Sequence, residues 1–125
     1  MKYDFWVIMA RYEHLPIYKL IYDFILYFFK LSRNFPKDYK YGLAVEIREN
    51  LTKLLDKVII ANNSESKEEA LKEAEMVVEQ IKFKIRILKD MGIIGLTSYK
   101  FCAAFTTDIC KQIQNWKSWS QRDRS

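Results

Sequence analysis

Glycine, proline, cysteine and histidine are all scarce in this 125-residue chain, which holds three, two, two and one of them. So little glycine and proline, with half of the residues hydrophobic, excludes collagen-like repeats, a disordered chain and a turn-rich β-sandwich. One histidine, His14, cannot supply the paired Glu-x-x-His ligands of a di-iron bundle, and beside Glu13 it reads as a surface residue. There is no phosphate-cradling glycine loop, no Cys-x-x-Cys pair and no Ser/His/Asp set. The expectation is therefore a protein without catalytic residues, metal or cofactor. Cys102 and Cys110 would lie roughly 12 Å apart on one helix, too far for a disulfide. They read as small core residues in a reducing, cytoplasmic setting. The apolar Phe5–Met9 patch is too short for a signal-peptide core. Leu15–Leu31 approaches membrane-spanning length, but Lys19, Asp23 and Lys30 interrupt it, so a buried helix is expected and no membrane contact.

What the chain has is helical periodicity. Pro16 suits a first helical turn, and a first helix is predicted from there to Arg33. Its apolar residues cover nearly the whole circumference, which calls for a second covered face, supplied either by long side chains draped over a central helix or, as the favoured reading, by subunit contact. Phe35-Pro36 stops it, because a residue before proline is pushed out of the helical region. Asp38 then reads as the cap of a second helix to Ala61, with Leu43, Ile47, Leu51, Leu54, Val58 and Ala61 on one face. Ser66 with Glu69 forms a capping-box pattern that opens a third helix. Its core positions are Leu71, Ala74, Val78, Ile81, Ile85 and Leu88, and Gly92 supplies the stop. Thr97 or Ser98 reads as the cap of a fourth helix carrying Tyr99, Cys102, Thr106, Ile109, Ile113 and Trp116. The architecture expected is all-α: an antiparallel up-down four-helix bundle over residues 15–119, with an extension at 1–14 and a polar tail at 120–125. Met9 is an alternative start.

Net charge is +5, and its distribution says more than its sum. Residues 1–62 carry +3, residues 63–80 carry −4 and residues 81–125 carry +6. Lys82, Arg86 and Lys89, at i, i+4 and i+7, form one cationic stripe that could follow a phosphate backbone and give salt-sensitive, weakly sequence-specific binding. Lys40, Arg48, Lys53 and Lys57 could extend it, although Glu46, Glu49 and Asp56 partly cancel them. Acids first and bases last on the third helix also suit its macrodipole, at about 0.3–1 kcal/mol per charge, so both readings stay open. Thirteen of the nineteen aromatics precede residue 42. Of these, Tyr39 and Tyr41 beside Lys37 and Lys40 could stack on unpaired bases, though packing against the first helix is the favoured use for them.

Phe35-Pro36, Lys40-Tyr41-Gly42-Leu43 and Ile47-Arg48 resemble the Phe-Pro…Lys/Arg-Tyr-x-Leu…Ile-Arg signature of the four-helix-bundle superfamily that includes proteins encoded in 23S rRNA intervening sequences. Tyr12-Glu13-His14-Leu15-Pro16-Ile17-Tyr18-Lys19 and Asn115-Trp116 are similar to one branch of it, the accessory variability determinants of diversity-generating retroelements. Where the intervening-sequence branch continues with a Pro-Ala-Asn-Ile-Ala-Glu-Gly-like stretch, this chain has Leu51-Thr52-Lys53-Leu54-Leu55-Asp56-Lys57. The resemblance implies a ring-like homo-oligomer, typically a pentamer, with a basic surface for template RNA or an RNA/DNA hybrid. It implies a reverse transcriptase partner that performs all the polymerase chemistry during mutagenic retrohoming. A ribosome- or rRNA-associated bundle and a scaffold without a nucleic-acid role are the competing readings.

Overall fold

A computed structural model of the protein describes residues 16–123. The expected extension at 1–14, with His14, lies outside the described residues. The elements are α1 (Pro16–Ser32), the single-turn α2 (Lys37–Lys40), α3 (Leu43–Asn63), α4 (Glu68–Asp90) and α5 (Leu96–Asp123), with no strand among the described residues. The four long helices form a bundle in which α1 packs on α3 and α5, α4 packs on the same two, and α1 and α4 stand diagonally opposite. Each neighbouring pair runs antiparallel. Tyr18 reaches Val58 and Arg48 meets Phe29 across α1 and α3, while Lys57 meets Glu73 and Lys84 meets Glu46 across α3 and α4. The same reversal places Glu75 beside Lys117 and Lys89 beside Tyr99 across α4 and α5.

The predicted apolar stripes fill the core. Ile47, Leu51, Leu54 and Val58 of α3 are fully buried, as are Leu71, Ala74, Val78, Ile81 and Leu88 of α4 and Cys102, Ile109 and Ile113 of α5. From α1 come Ile21, Phe24 and Phe28, with the Phe24 ring stacked on that of Phe105 at 4.9 Å between centroids. Most of the apolar circumference of α1 is covered within the protomer: Leu20, Ile25, Tyr27 and Leu31 pack against the core, leaving Leu26 and Phe29 exposed. One polar group enters the α3–α4 seam. Buried Asn50 donates to the Gln80 Oε1 at 3.2 Å and accepts from the Lys84 Nζ at 2.8 Å, so neither of its polar ends is left unpaired.

The helix ends depart from the predicted ones for identifiable reasons. The expected continuous helix from Asp38 to Ala61 is broken at Tyr41-Gly42, and Asp38 lies inside α2 rather than capping it. Pro36 precedes α2, and its carbonyl accepts from the N–H of Lys40 at 2.8 Å. At the break, a Cβ on Gly42 would come within 2.6 Å of the Asp38 carbonyl oxygen, an approach only glycine permits. α4 begins at Glu68, two residues beyond the expected opening at Ser66. The residue preceding α4 is Lys67, whose ammonium instead ties the end of α3 by donating to the carbonyls of Ala61 and Ser64, both at 2.9 Å. α5 begins at Leu96, so Thr97 and Ser98 lie within its first turn instead of capping it. It continues through Asp123, into the segment expected to be a polar tail. Gly92 does stop α4. It takes φ +75°, its N–H bonds to the Lys89 carbonyl at 3.0 Å and that of Ile93 to the Leu88 carbonyl at 2.9 Å, the paired bonds of a Schellman motif.

Candidate nucleic-acid interface

The α4 cations line the edge that faces α5. Lys82 is exposed and pairs with Glu79 at 3.3 Å one turn back. The Arg86 Nε lies 3.0 Å from both carboxylate oxygens of Asp90. Asp90 first, and the Tyr99 hydroxyl second, raise the guanidinium pKa further above its ordinary value, so it is a permanent cation. The Lys89 Nζ stands 4.8 Å from the centroid of the Tyr99 ring. Lys84, between them in sequence, turns the other way to reach Glu46 and Asn50 on α3. The pairs of Lys82 and Arg86 lie on one helix surface at i,i+3 and i,i+4 spacing, where an ion pair is worth a few tenths of a kcal/mol and yields to a phosphate.

Lys40 and Arg48 sit elsewhere. Arg48 is half-buried: its Nη2 donates to the Lys40 carbonyl at 3.0 Å, its Nε to the Ala44 carbonyl at 3.3 Å, and its guanidinium lies 5.7 Å from the Phe29 ring. It therefore ties together α1, α2 and the start of α3, a structural employment that charge and spacing did not disclose. The Lys40 Nζ lies 5.7 Å from the ring of exposed Tyr41, whereas Tyr39 packs against the core. Arg48 thus belongs to the α1–α3 side, and Lys82, Arg86 and Lys89 to the α4–α5 side.

What unites the two groups is the end of the bundle. α1 and α4 finish, and α3 and α5 begin, at the same end. The half made of residues 24–53 and 79–106 carries eleven Lys/Arg against five Asp/Glu, a net +6. The half made of 16–23, 54–78 and 107–120 carries six against eight, a net −2. All five predicted residues fall at this basic pole, joined there by Lys30, Arg33, Lys37, Lys53, Lys84 and Lys100. These cations are scattered in sequence, and only the reversal of successive helices gathers them at one end. A concentration of charge of this kind raises the local concentration of a polyanion and binds it in a salt-dependent way.

Covalent chemistry finds no support in the cysteines. Burial pushes the Cys102 thiol up to about 12, and burial also raises that of Cys110, with Lys82 opposing. Both stay protonated at neutral pH and are poor nucleophiles. Cys102 lines a notch of about 90 Å³ between α4 and α5, too small for a cofactor. Among the described residues no group of three His, Cys, Asp or Glu side chains could hold a metal ion, and no helix is long and apolar enough to cross a membrane.

No curated protein matches the chain. Residues 15–119, which take in all of the bundle but the last turn of α5, match the profile of the bAvd-like family, bAvd being the accessory variability determinant of diversity-generating retroelements. The all-helical bundle agrees with that match, and the chain belongs to the bAvd-like family.

Proposed function

We propose that this protein is a non-catalytic accessory subunit of a diversity-generating retroelement reverse transcriptase, acting in the cytoplasm on template RNA or an RNA/DNA hybrid. The observation that carries the reading is the basic pole, which collects Lys82, Arg86, Lys89, Lys40 and Arg48 from segments up to about fifty residues apart in a chain of this family. Lys82, Arg86, Lys89 and Lys40 would neutralise phosphates directly, while Arg48 holds the α2–α3 junction that presents Lys40. Such contacts position a nucleic acid without reading its bases, which suits a subunit that organises a template for an error-prone polymerase. Exposed Leu26 and Phe29 on α1 support self-association, into a ring and, as the sequence resemblance implies, a pentamer. A ring would multiply the pole and so raise avidity without any new contact.

The same cations support a second reading. Lys82 with Glu79 and Arg86 with Asp90 are already paired, as in a bundle whose charges serve only helix stability and solubility. Affinity capture from the native host separates the two. Recovery of a reverse transcriptase together with a defined RNA is the expected result. Recovery of ribosomes would favour the rRNA-associated alternative, and recovery of the protein alone would favour the scaffold.

A further inference from the structure

Three of the most exposed apolar rings share one arrangement: each adjoins a lysine in sequence, and each lies in the basic half of the bundle. Tyr41, 69% exposed, follows Lys40 at the α2–α3 junction. Phe83, 72% exposed, sits between Lys82 and Lys84 on α4, with Arg86 one turn ahead. Phe101, 55% exposed, follows Lys100 near the start of α5. None of these rings belongs to the core, and Tyr41 and Phe83 lie off every stripe that the packing needs.

A ring beside a lysine suits some ligands and not others. A dry protein contact over Phe83 would have to cover Arg86, one turn on along the same surface, at the cost of taking its charge from water. A nucleotide satisfies both parts of the unit, because its base has a flat π-face for the ring and its phosphate has an anionic oxygen for the ammonium. Only an unpaired base is free to do this. In a duplex the faces are already stacked and the backbone alone is presented, so the rings would gain nothing.

We infer that the basic pole binds single-stranded nucleic acid, with unpaired bases stacked on Tyr41, Phe83 and Phe101 and the neighbouring phosphates held by Lys40, Lys82 and Lys100. The inference rests on the polyanion contact proposed above and adds the strandedness of the ligand. Because the three rings come from the α2–α3 junction, α4 and α5, the strand runs around the pole instead of along one helix.

The test compares the full-length protein on a single-stranded RNA oligonucleotide and on the same sequence annealed to its complement, by fluorescence anisotropy. Phe83→Ala and Tyr41→Ala each weaken single-strand binding about 5- to 150-fold and change duplex binding less than twofold. Phe83→Leu, which keeps apolar bulk without a flat face, behaves as Phe83→Ala, whereas Phe83→Trp retains the affinity. Phe101 also touches Tyr27, at 5.6 Å between centroids, so Phe83 and Tyr41 are the decisive positions. Equal losses on both ligands, or no loss on either, overturn the inference. So does a fall in scattering mass with single-strand affinity intact, which would make the rings a protein contact. If the Lys82→Gln/Arg86→Gln variant loses affinity while the ring variants keep theirs, the polyanion reading stands and strandedness alone fails. A wild-type protein that binds neither ligand overturns both.

Discussion

Neutralising Lys82 and Arg86 together should weaken polyanion binding by an amount that can be worked out beforehand. Both side chains are about half exposed and paired only within α4, to Glu79 and Asp90. Exposed pairs of this kind contribute about 0–1 kcal/mol, so Lys82→Gln/Arg86→Gln should fold, with its helical signal and scattering mass unchanged. Each cation that neutralises one phosphate of a single strand steepens the slope of log K against log salt by about 0.7. Losing two flattens it by about 1.4, and at about 0.15 M salt the same relation makes binding roughly tenfold weaker. Anisotropy titrations between about 50 and 200 mM salt read both quantities. The matched control is Lys72→Gln/Lys111→Gln, which removes the same charge from two exposed positions in the opposite half. It should leave the slope where it is. An unchanged slope in the first variant, with the assembly intact, would refute the site. An equal loss in the control would refute the pole, because net charge rather than its placement would then govern binding.

The glycines should separate in thermal unfolding. Gly42→Ala meets the Asp38 carbonyl at 2.6 Å and should cost about 1–3 kcal/mol. Gly92→Ala meets nothing but must hold φ +75°, at about 1–2 kcal/mol, and Gly95→Ala, with open space and no such φ, should fall within about 0.5 kcal/mol. Equal melting temperatures for the Gly42 and Gly95 variants would contradict this account of the α2–α3 break. Cys102 predicts an alkaline loss of stability. The unfolded thiol ionises near pH 8.5 and the folded one only near about 12, so the unfolded state binds fewer protons between these values and stability falls as pH rises through them. The loss due to Cys102 should reach at most about 4–5 kcal/mol and be missing from Cys102→Ala, which keeps the contribution of Cys110; denaturant titrations of both proteins from pH 8 to 11 compare them, and identical pH dependence would remove Cys102 as the cause. Light scattering should give a mass well above the 15.0 kDa of one chain, and a stable monomer would end the case for self-association.

Periodicity made most of the fold legible. Leu71, Ala74, Val78, Ile81, Ile85 and Leu88 recur at three and four and are all buried, because a helix carries such residues to one face whatever packs against it. The stop at Gly92 was legible for a similar reason, since a left-handed turn at a helix end calls for glycine locally. The starts of α4 and α5 and the break at Gly42 were not. Lys67 serves the end of α3 instead of its own helix, and Gly42 is demanded by the approach of the Asp38 carbonyl, a contact that exists only once the junction has folded. Arg48 shows the same limit at the candidate site: its charge suggested a phosphate contact, and the fold employs it to tie α1, α2 and α3 together.

Sequence by itself determined the number of long helices, their buried faces and the family, all of which rest on local spacing and short motifs. The tertiary structure alone decided that the α2–α3 junction and the end of α4, some forty residues apart, share one pole. Charges that far apart in the chain become neighbours only when successive helices reverse direction, and packing the apolar faces against one another is what imposes that reversal.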